Sequence, residues 1–183
     1  YVVQGCSMSK VWVIADLHFG HAKVAASRGY ASTDEHDSDL IRKWNSVVRD
    51  KDKVWVLGDC AMSKRHLPKL AALCGTKRLV GGNHDLFHLE YATYFEYVVA
   101  MKVYDKLEPL PVVLTHFPVH PYLLERFGGN IHGHAHHATV QGDHSALYLN
   151  VCAEHTDGYP VELVDAAHTL HWNLMLGHNS AVP

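Results

Sequence analysis

The pattern that most constrains this chain is a repeated one: a short apolar, β-rich run that stops abruptly at a polar motif of glycine, aspartate or histidine. Lys10-Val-Trp-Val-Ile-Ala leads into Asp16-Leu17-His18-Phe19-Gly20-His21. Lys53-Val-Trp-Val-Leu ends in Gly58-Asp59, and Arg78-Leu-Val ends in Gly81-Gly82-Asn83-His84-Asp85. Runs this apolar read as strands buried on both faces. Thr33 opens a helical stretch between the first two, with Asp34, Glu35 and Asp37 where the helix dipole favours acidic groups. Leu40, Ile41, Trp44, Val47 and Val48 then recur at helical spacing. A second helix is expected over His66 to Leu73. The strand–helix–strand rhythm implies a parallel or mixed sheet with crossover helices. Its motifs fall at the carboxyl ends of strands, where α/β sheets bind ligands.

The second half of the chain has the same strand ends but less helical pattern. Val112-Val-Leu-Thr precedes His116, and Asn130-Ile131-His132 precedes Gly133-His134-Ala135-His136. The stretches 146–151 and 161–164 are further strand candidates. A second, more antiparallel sheet is expected here. The architecture predicted is α/β: two facing mixed sheets flanked by helices, a four-layer α-β-β-α sandwich. A chain of 183 residues suits one domain, read as residues 8–183. Residues 1–7 precede Met8 and read as a vector-derived remnant or a natural extension. No repeat or linker divides the rest, and the tail from Ala167 carries mixed signals.

Composition excludes several function classes. With 48% hydrophobic and 19% charged residues, the balance is that of an ordinary globular protein. No segment approaches the run of about 18 apolar residues that a membrane helix needs. No secretory signal is visible at the start, so the chain reads as soluble and cytoplasmic, with no membrane partner. The formal charge of −3 supplies no general basic field for long nucleic acid, which is not indicated as a partner, though not ruled out. Cys6, Cys60, Cys74 and Cys152 contain no C-x-x-C pair and read as reduced thiols.

Histidine is the outlier, with 17 copies, and several fall inside the motifs. Asp16-x-His18, Gly58-Asp59, Gly82-Asn83-His84-Asp85, His116 and Gly133-His134-x-His136 together offer carboxylate, imidazole and amide ligands. That mixture suits Zn, Mn, Fe or Ni rather than calcium, which prefers oxygen throughout. Residues i and i+2 of a strand face the same side, so Asp16 with His18, and His134 with His136, are expected to reach one ion each as their strands run out. Glycines 58, 82 and 133 let the backbone approach closely. Singly, each piece is unremarkable, since Gly-Asp is usually a turn and a lone histidine is usually structural. Their recurrence at successive strand ends points to a metal site.

The ordered set D-x-H, G-D, G-N-H-D, H, G-H-x-H resembles the calcineurin-like metallophosphoesterase superfamily. It is most similar to a small bacterial and phage branch. That likeness is carried by the extended first block Asp16 to His21, by Trp44-Asn45, by His132 to His136, and by Asn150-Val151 with Tyr159-Pro160-Val161. It runs from about Lys10 to about Val164. The resemblance implies two divalent metal ions (Mn, Fe, Zn or Ni). Asp16, His18 and His136 would bind the first, Asn83, His116 and His134 the second, and Asp59 would bridge them. His84 would contact the phosphate and protonate the leaving oxygen, with Asp85 orienting its ring. His21 would touch a substrate phosphate or orient the first loop. Cys60 reads as a small core residue or, less simply, a redox-sensitive one. His132 and His137 are expected to support the ligands or face solvent.

The implied activity is hydrolysis of phosphomonoesters or phosphodiesters by metal-activated water, with small nucleotide-type or cyclic phosphodiesters favoured. The implied partner is a small phosphate-ester substrate. No cap domain is expected. A pyrophosphohydrolase of nucleotide derivatives is the competing enzyme, and a non-catalytic metal-binding scaffold is the competing class. Phe19, Phe117, Tyr122 and Phe127 lie near motif loops and read either as base-stacking groups or as core.

Overall fold

A computed structural model describes residues 8–85 and 89–177. The segment 1–7, with Cys6, and His178 therefore lie outside it. The apolar runs form strands where expected: β1 (Val11–Ile14), β2 (Lys53–Val56) and β3 (Thr76–Val80). They pair in parallel, with Ile14 opposite Val56 and Val56 opposite Leu79. Alternation then sorts their side chains. Trp12 and Ile14 pack with Val54 and Val56 in one cluster, whereas Val13 and Ala15 join Trp55 and Leu57 in another. Both faces are buried, which is why the runs carry no polar alternation.

Helices cover the first face. A short α1 (Ala22–Ser27) follows the first motif, and α2 (Thr33–Val47) follows it. Ser32 caps α2 by accepting from Glu35 N at 3.1 Å. Leu40 and Trp44 of α2 enter the cluster with Ile14. Trp44 and Asn45 also hold α2 to the loop before β3. The Trp44 indole donates to Cys74 O, while the Asn45 amide donates to Ala72 O and accepts from Cys74 N.

Four expectations need correction. The segment expected as a helix over 66–73 is a 3-10 helix, Lys64–Ala72, with Pro68 inside it. Proline has no N–H to give and its ring crowds the preceding turn, which interrupts a regular α ladder there. The first sheet gains β4 (Tyr97–Val99) beyond β3 and, at its other edge, β9 (Val161–Glu162) antiparallel to β1. The second sheet, β5 (Lys102–Tyr104), β6 (Val112–Thr115), β7 (Asn130–His132) and β8 (Tyr148–Asn150), is not mainly antiparallel. Only β5–β6 pair that way, and β6–β7–β8 are parallel. Their crossovers use turns and 3-10 segments instead of long helices, so the helical period is missing. One such segment, Ser145–Leu147, occupies the start of the stretch expected as strand from 146.

The last correction concerns the tail. Only Val161–Glu162 is strand, and Leu163 opens α4 (Leu163–Leu176), closed by Gly177 at φ 69°. A short α3 (Tyr91–Tyr94) was also not foreseen. Leu163, Ala166, Ala167 and Leu170 form an apolar stripe on α4 and pack with Val13, Leu114 and Ile131 between the sheets. The product is the expected pair of mixed sheets flanked by helices. Among the described residues no helix is long and apolar enough to cross a membrane.

Candidate metal centre

The motif residues all follow strands, on the same end of both sheets. The loop after β1 is joined to the loop after β2: Asp16 N donates to Gly58 O at 3.0 Å and His18 N to Asp59 O at 2.8 Å. Gly133 N donates to His116 O, which ties the ends of β6 and β7 together. A hydrogen bond from His134 N to Asp16 Oδ2 at 2.8 Å then links the two sheets.

Side chains converge for a reason other than strand alternation. Asp16 (φ 59°), His18 (50°), Asp59 (53°), His134 (67°) and His136 (47°) all adopt left-handed backbone. Such φ values are uncommon and costly outside glycine, and they cluster where structure is fitted to a site. Among the described non-glycine residues only Asp157 shares this conformation. The strands end before these residues, and the φ reversals aim the side chains inward. Close approach also needs glycine. A Cβ on Gly82 would lie 2.3 Å from Asp59 Oδ1, and one on Gly133 would lie 2.5 Å from Asp16 Oδ2.

The polar atoms form two overlapping groups. Asp16, His18 and His136 offer ligand atoms within 4.8 Å of one another, and so do Asp16, Asp59 and His116. Asp59 Oδ2 lies 3.6 Å from His18 Nε2, 3.6 Å from His116 Nε2 and 4.0 Å from His84 Nε2. Asp16 Oδ1 lies 3.4 Å from His18 Nε2 and 3.8 Å from His136 Nε2. His116 Nε2 meets Asn83 Oδ1 at 2.9 Å, and the His134 ring lies 5.1 Å from that of His116. All the expected ligands are thus brought together.

Whether the site fits a cation can be tested on these atoms. Asp16 Oδ1 and His18 Nε2 are buried and have no hydrogen-bond partner. A buried polar atom left unpaired costs about 1–3 kcal/mol, so such pairs in one place ask for a ligand. The histidines are also turned for binding. Nδ1 of His116 faces Leu57 O at 2.8 Å and Nδ1 of His136 faces Glu154 Oε1 at 2.7 Å. Each partner can only accept, so Nδ1 carries the hydrogen and the Nε2 lone pair is left facing the aspartates. The donor set therefore fits a divalent transition metal.

Electrostatics favour the charged carboxylates. Burial pushes the Asp16 carboxyl up, but His18, His116, and hydrogen bonds from Cys152 and His134 N outweigh it and hold it below the ordinary range. Burial opposes charge on Glu154 too. The His136 hydrogen bond and the Arg28 guanidinium prevail and bring it to about 2. Arg28 donates to Glu154 at 2.9 Å and to the carbonyl of Asp16 at 2.7 Å. Its Nη1 meets His36, which pairs in turn with Asp37, and Asp37 accepts from Gly20 N at 2.9 Å. A polar chain thus braces the first loop from behind.

Sequence reasoning missed Arg28, Glu154 and Cys152, whose thiol donates to Asp16 Oδ2 at 3.1 Å. The neighbouring Asn150-Val151 was the available signal: Asn150 donates to the carbonyls of His136 and Ala138 and so shapes the ligand loop.

Other expected site residues have definite places. His84 is partly exposed, its ring 5.6 Å from that of His18, and its N–H donates to Asp59 Oδ1. Asp85 does not pair with the His84 ring. It accepts from the backbone of Asp59, Cys60 and Gly82, from the Cys60 thiol and from Tyr91 Oη, which fastens the loops after β2 and β3 together. Buried Cys60 has its thiol pushed well up and stays protonated, as a core residue would. His21 caps α1 by accepting from Val24 N, while its ring meets His18 at 5.3 Å. His132 is buried, held near 4 by desolvation, and bonds Gly133 O, whereas His137 faces solvent. Phe19 is core, Phe127 packs on the outer face of the second sheet, and Tyr122 is exposed. Phe117 is half exposed and its ring lies 4.3 Å from that of His134.

A two-sheet sandwich with buried aspartates and histidines gathered at its strand ends offers groups that could hold divalent metal ions. The chain belongs to the calcineurin-like phosphoesterase family, whose model matches residues 9–179. An uncharacterized protein of Methanocaldococcus jannaschii is 34% identical over 168 residues, covering 86% of this chain and 89% of that one. The Gene 66 protein of Mycobacterium phage L5 is 32% identical over 170 residues, covering 75% and 82%. Such phage relatives fit the small branch. The crystal structure of AQ665, a protein of unknown function from Aquifex aeolicus, matches with a TM-score of 0.67 at 22% identity, covering 84% of this chain and 95% of that one. That last likeness shows the fold alone.

Proposed function

We propose that the protein is a binuclear metal-dependent phosphoesterase acting on phosphomonoesters or phosphodiesters, with small nucleotide-type or cyclic diesters favoured. The observation that carries this is the pair of ligand groups that overlap at Asp16, with Asp59 Oδ2 3.6 Å from both His18 Nε2 and His116 Nε2, and with Asp16 Oδ1 and His18 Nε2 buried and unpaired. Asp16, His18 and His136 would hold one ion, Asn83, His116 and His134 the other, and Asp59 both. Two such ions supply an activated water and neutralise phosphate charge. Manganese, iron, zinc or nickel suits this donor set.

The chain's own groups account for the rest. His84 is exposed enough to meet a substrate and close enough to Asp59 to stand over the reacting phosphate. Attack by water forms a new P–O bond and breaks the bond to the alcohol, and His84 gives its proton to the departing oxygen. His21 would add a hydrogen bond to phosphate. Glu154 and Arg28 fix the His136 ring, and Asp85 fixes the two loops that present Asp59 and His84. The exposed His84 side chain leaves the basin open to small esters among the described residues.

The test is hydrolysis of bis-p-nitrophenyl phosphate beside p-nitrophenyl phosphate, on chelated protein reloaded with Mn, Ni, Zn or Mg. Turnover restored by a transition metal is expected, and the ratio of the two rates assigns diester or monoester preference. A folded protein that holds two ions and turns over neither ester would refute the reading.

A further inference from the structure

Beside the centre lies a cavity of about 600 Å³ that the reaction as described does not use. His84 lines it, and so does Gly20 of the first loop, so it opens directly onto the proposed acid. Its other walls come from the 3-10 segment after β2 and from α3: Met62, Leu67 and Tyr91 are apolar, and Lys64, Arg65 and His66 are basic.

The wall is built against the site and is not merely next to it. The His66 ring lies over Gly20, where any Cβ would come within 2.3 Å of it. Gly20 is also at φ 77°, so glycine is doubly required. The cations differ in their partners. Lys64 pairs with Glu90 at 2.9 Å, and Lys69 behind the wall pairs with Asp37. Arg65 donates to His66 at 3.0 Å and meets no carboxylate among the described residues. Among the described residues no carboxylate therefore neutralises this guanidinium at the cavity.

We propose that this cavity seats the leaving group of the substrate, and that Arg65 selects esters whose leaving alcohol carries a second anionic group on an apolar or planar body. This rests on the phosphoesterase reading, and specifically on His84 as the proton donor. The leaving oxygen meets His84 beside Nε2, which lies 4.0 Å from Asp59 Oδ2, and the rest of the leaving group extends from there along the ring, which the cavity borders. Met62, Leu67 and Tyr91 can take an apolar or planar body. Guanidinium binds phosphate or carboxylate through paired hydrogen bonds, which a neutral alcohol cannot match. The leaving half of a dinucleotide, with its own phosphate, has this chemistry.

The test uses two non-hydrolysable probes, benzylphosphonate and 4-carboxybenzylphosphonate, titrated by calorimetry into metal-loaded protein. The second differs only by an anion at the far end of the ring. Wild type should bind it about tenfold more tightly, the usual scale of a charge-assisted contact. Arg65→Gln should bring the ratio of the two affinities to about one, and Arg65→Lys should restore part of it. Arg65 is exposed, so neither variant threatens folding. Equal affinities in wild type, or a ratio that survives Arg65→Gln, would overturn the proposal. Turnover is read separately. The expected probe ratios without ester hydrolysis would sink the phosphoesterase reading and keep the anion site, and hydrolysis without the ratios would do the reverse.

Discussion

Replacing Glu154 with glutamine should weaken the fold and loosen the centre together. The Glu154 side chain is 1% exposed and that of Arg28 is 7% exposed, so the pair is buried. Removing one charge of a buried pair costs about 3–5 kcal/mol, because the other is left uncompensated. Arg28 keeps the carbonyls of Asp16 and Leu17, and glutamine still offers an oxygen, so the lower end applies, about 3 kcal/mol. For a chain of this size that is a fall in Tm of roughly 6–12 °C. The effect on metal follows from the tautomer. The carboxylate can only accept, which keeps hydrogen on Nδ1 of His136 and leaves Nε2 bare. A glutamine amide can donate to Nδ1 instead, which moves the hydrogen to Nε2 and hides the lone pair. Loss of such a support typically lowers metal affinity 10–100-fold, about the change expected here. Melting of chelated protein by circular dichroism reads the first effect, and calorimetric titration of Mn²⁺ or Zn²⁺ reads the second. Arg28→Met added to Glu154→Gln should recover part of the lost stability. A Tm within about 2 °C of wild type, together with unchanged metal affinity, would refute this account of the pair.

Three further outcomes are expected. His84→Ala should keep fold and metal content while turnover drops about 10²–10⁴-fold, measured with alkyl phosphate esters, whose leaving oxygen needs a proton; unchanged turnover would remove His84 as the acid. Gly82→Ala should push Asp59 from its place, since the new Cβ would stand 2.3 Å from its Oδ1, and metal analysis should find fewer ions per chain; full occupancy would contradict that packing. Asp39 bears on acid stability. Burial raises its carboxyl, but hydrogen bonds from Tyr30, Arg42 and Lys43 bring it from 3.8 to about 2. A carboxyl depressed in the folded state stabilises above its unfolded value and loses that contribution as pH falls through the folded one. Asp39→Asn should therefore flatten the fall of Tm between about pH 4 and pH 2, and parallel curves for the two proteins would refute the assignment.

The candidate site was legible where its side chains sit in short motifs. The aspartates and histidines do gather at strand ends, as the resemblance implied. The reason inferred for their convergence was wrong. Asp16 and His18 are not neighbours on one strand face, because β1 ends at Ile14 and both residues reverse their φ. Sequence shows residue type at a strand end but not handedness where no glycine marks it. Asp85 was misread for a related cause: its motif neighbour is His84, whereas its partners are backbone N–H groups at Asp59 and Cys60 on another loop. Arg28 and Glu154 carried no local pattern at all, and only long-range pairing brings them together. The first sheet was legible because apolar runs of β-rich residues alternate with a capped helix. The second sheet misled, since parallel strands without helical crossovers look antiparallel in sequence. In α4 the apolar stripe at Leu163, Ala166, Ala167 and Leu170 was present, but it begins one residue after β9 and was absorbed into the strand.

The hydrogen bond from His134 to Asp16 spans 118 positions of the chain and joins the ends of two sheets. In the proposed ligand set, each half of the molecule holds an incomplete claw. Asp16, His18, Asp59 and Asn83 emerge early in synthesis, whereas His116, His134 and His136 emerge late. With that ligand set, a ribosome-bound or proteolysed fragment lacking the second half would hold an ion only loosely. Metal capture would then work as a clasp that closes once both halves are present. Loading would report completeness, and the same closure would make the two sheets resist being pulled apart from their ends.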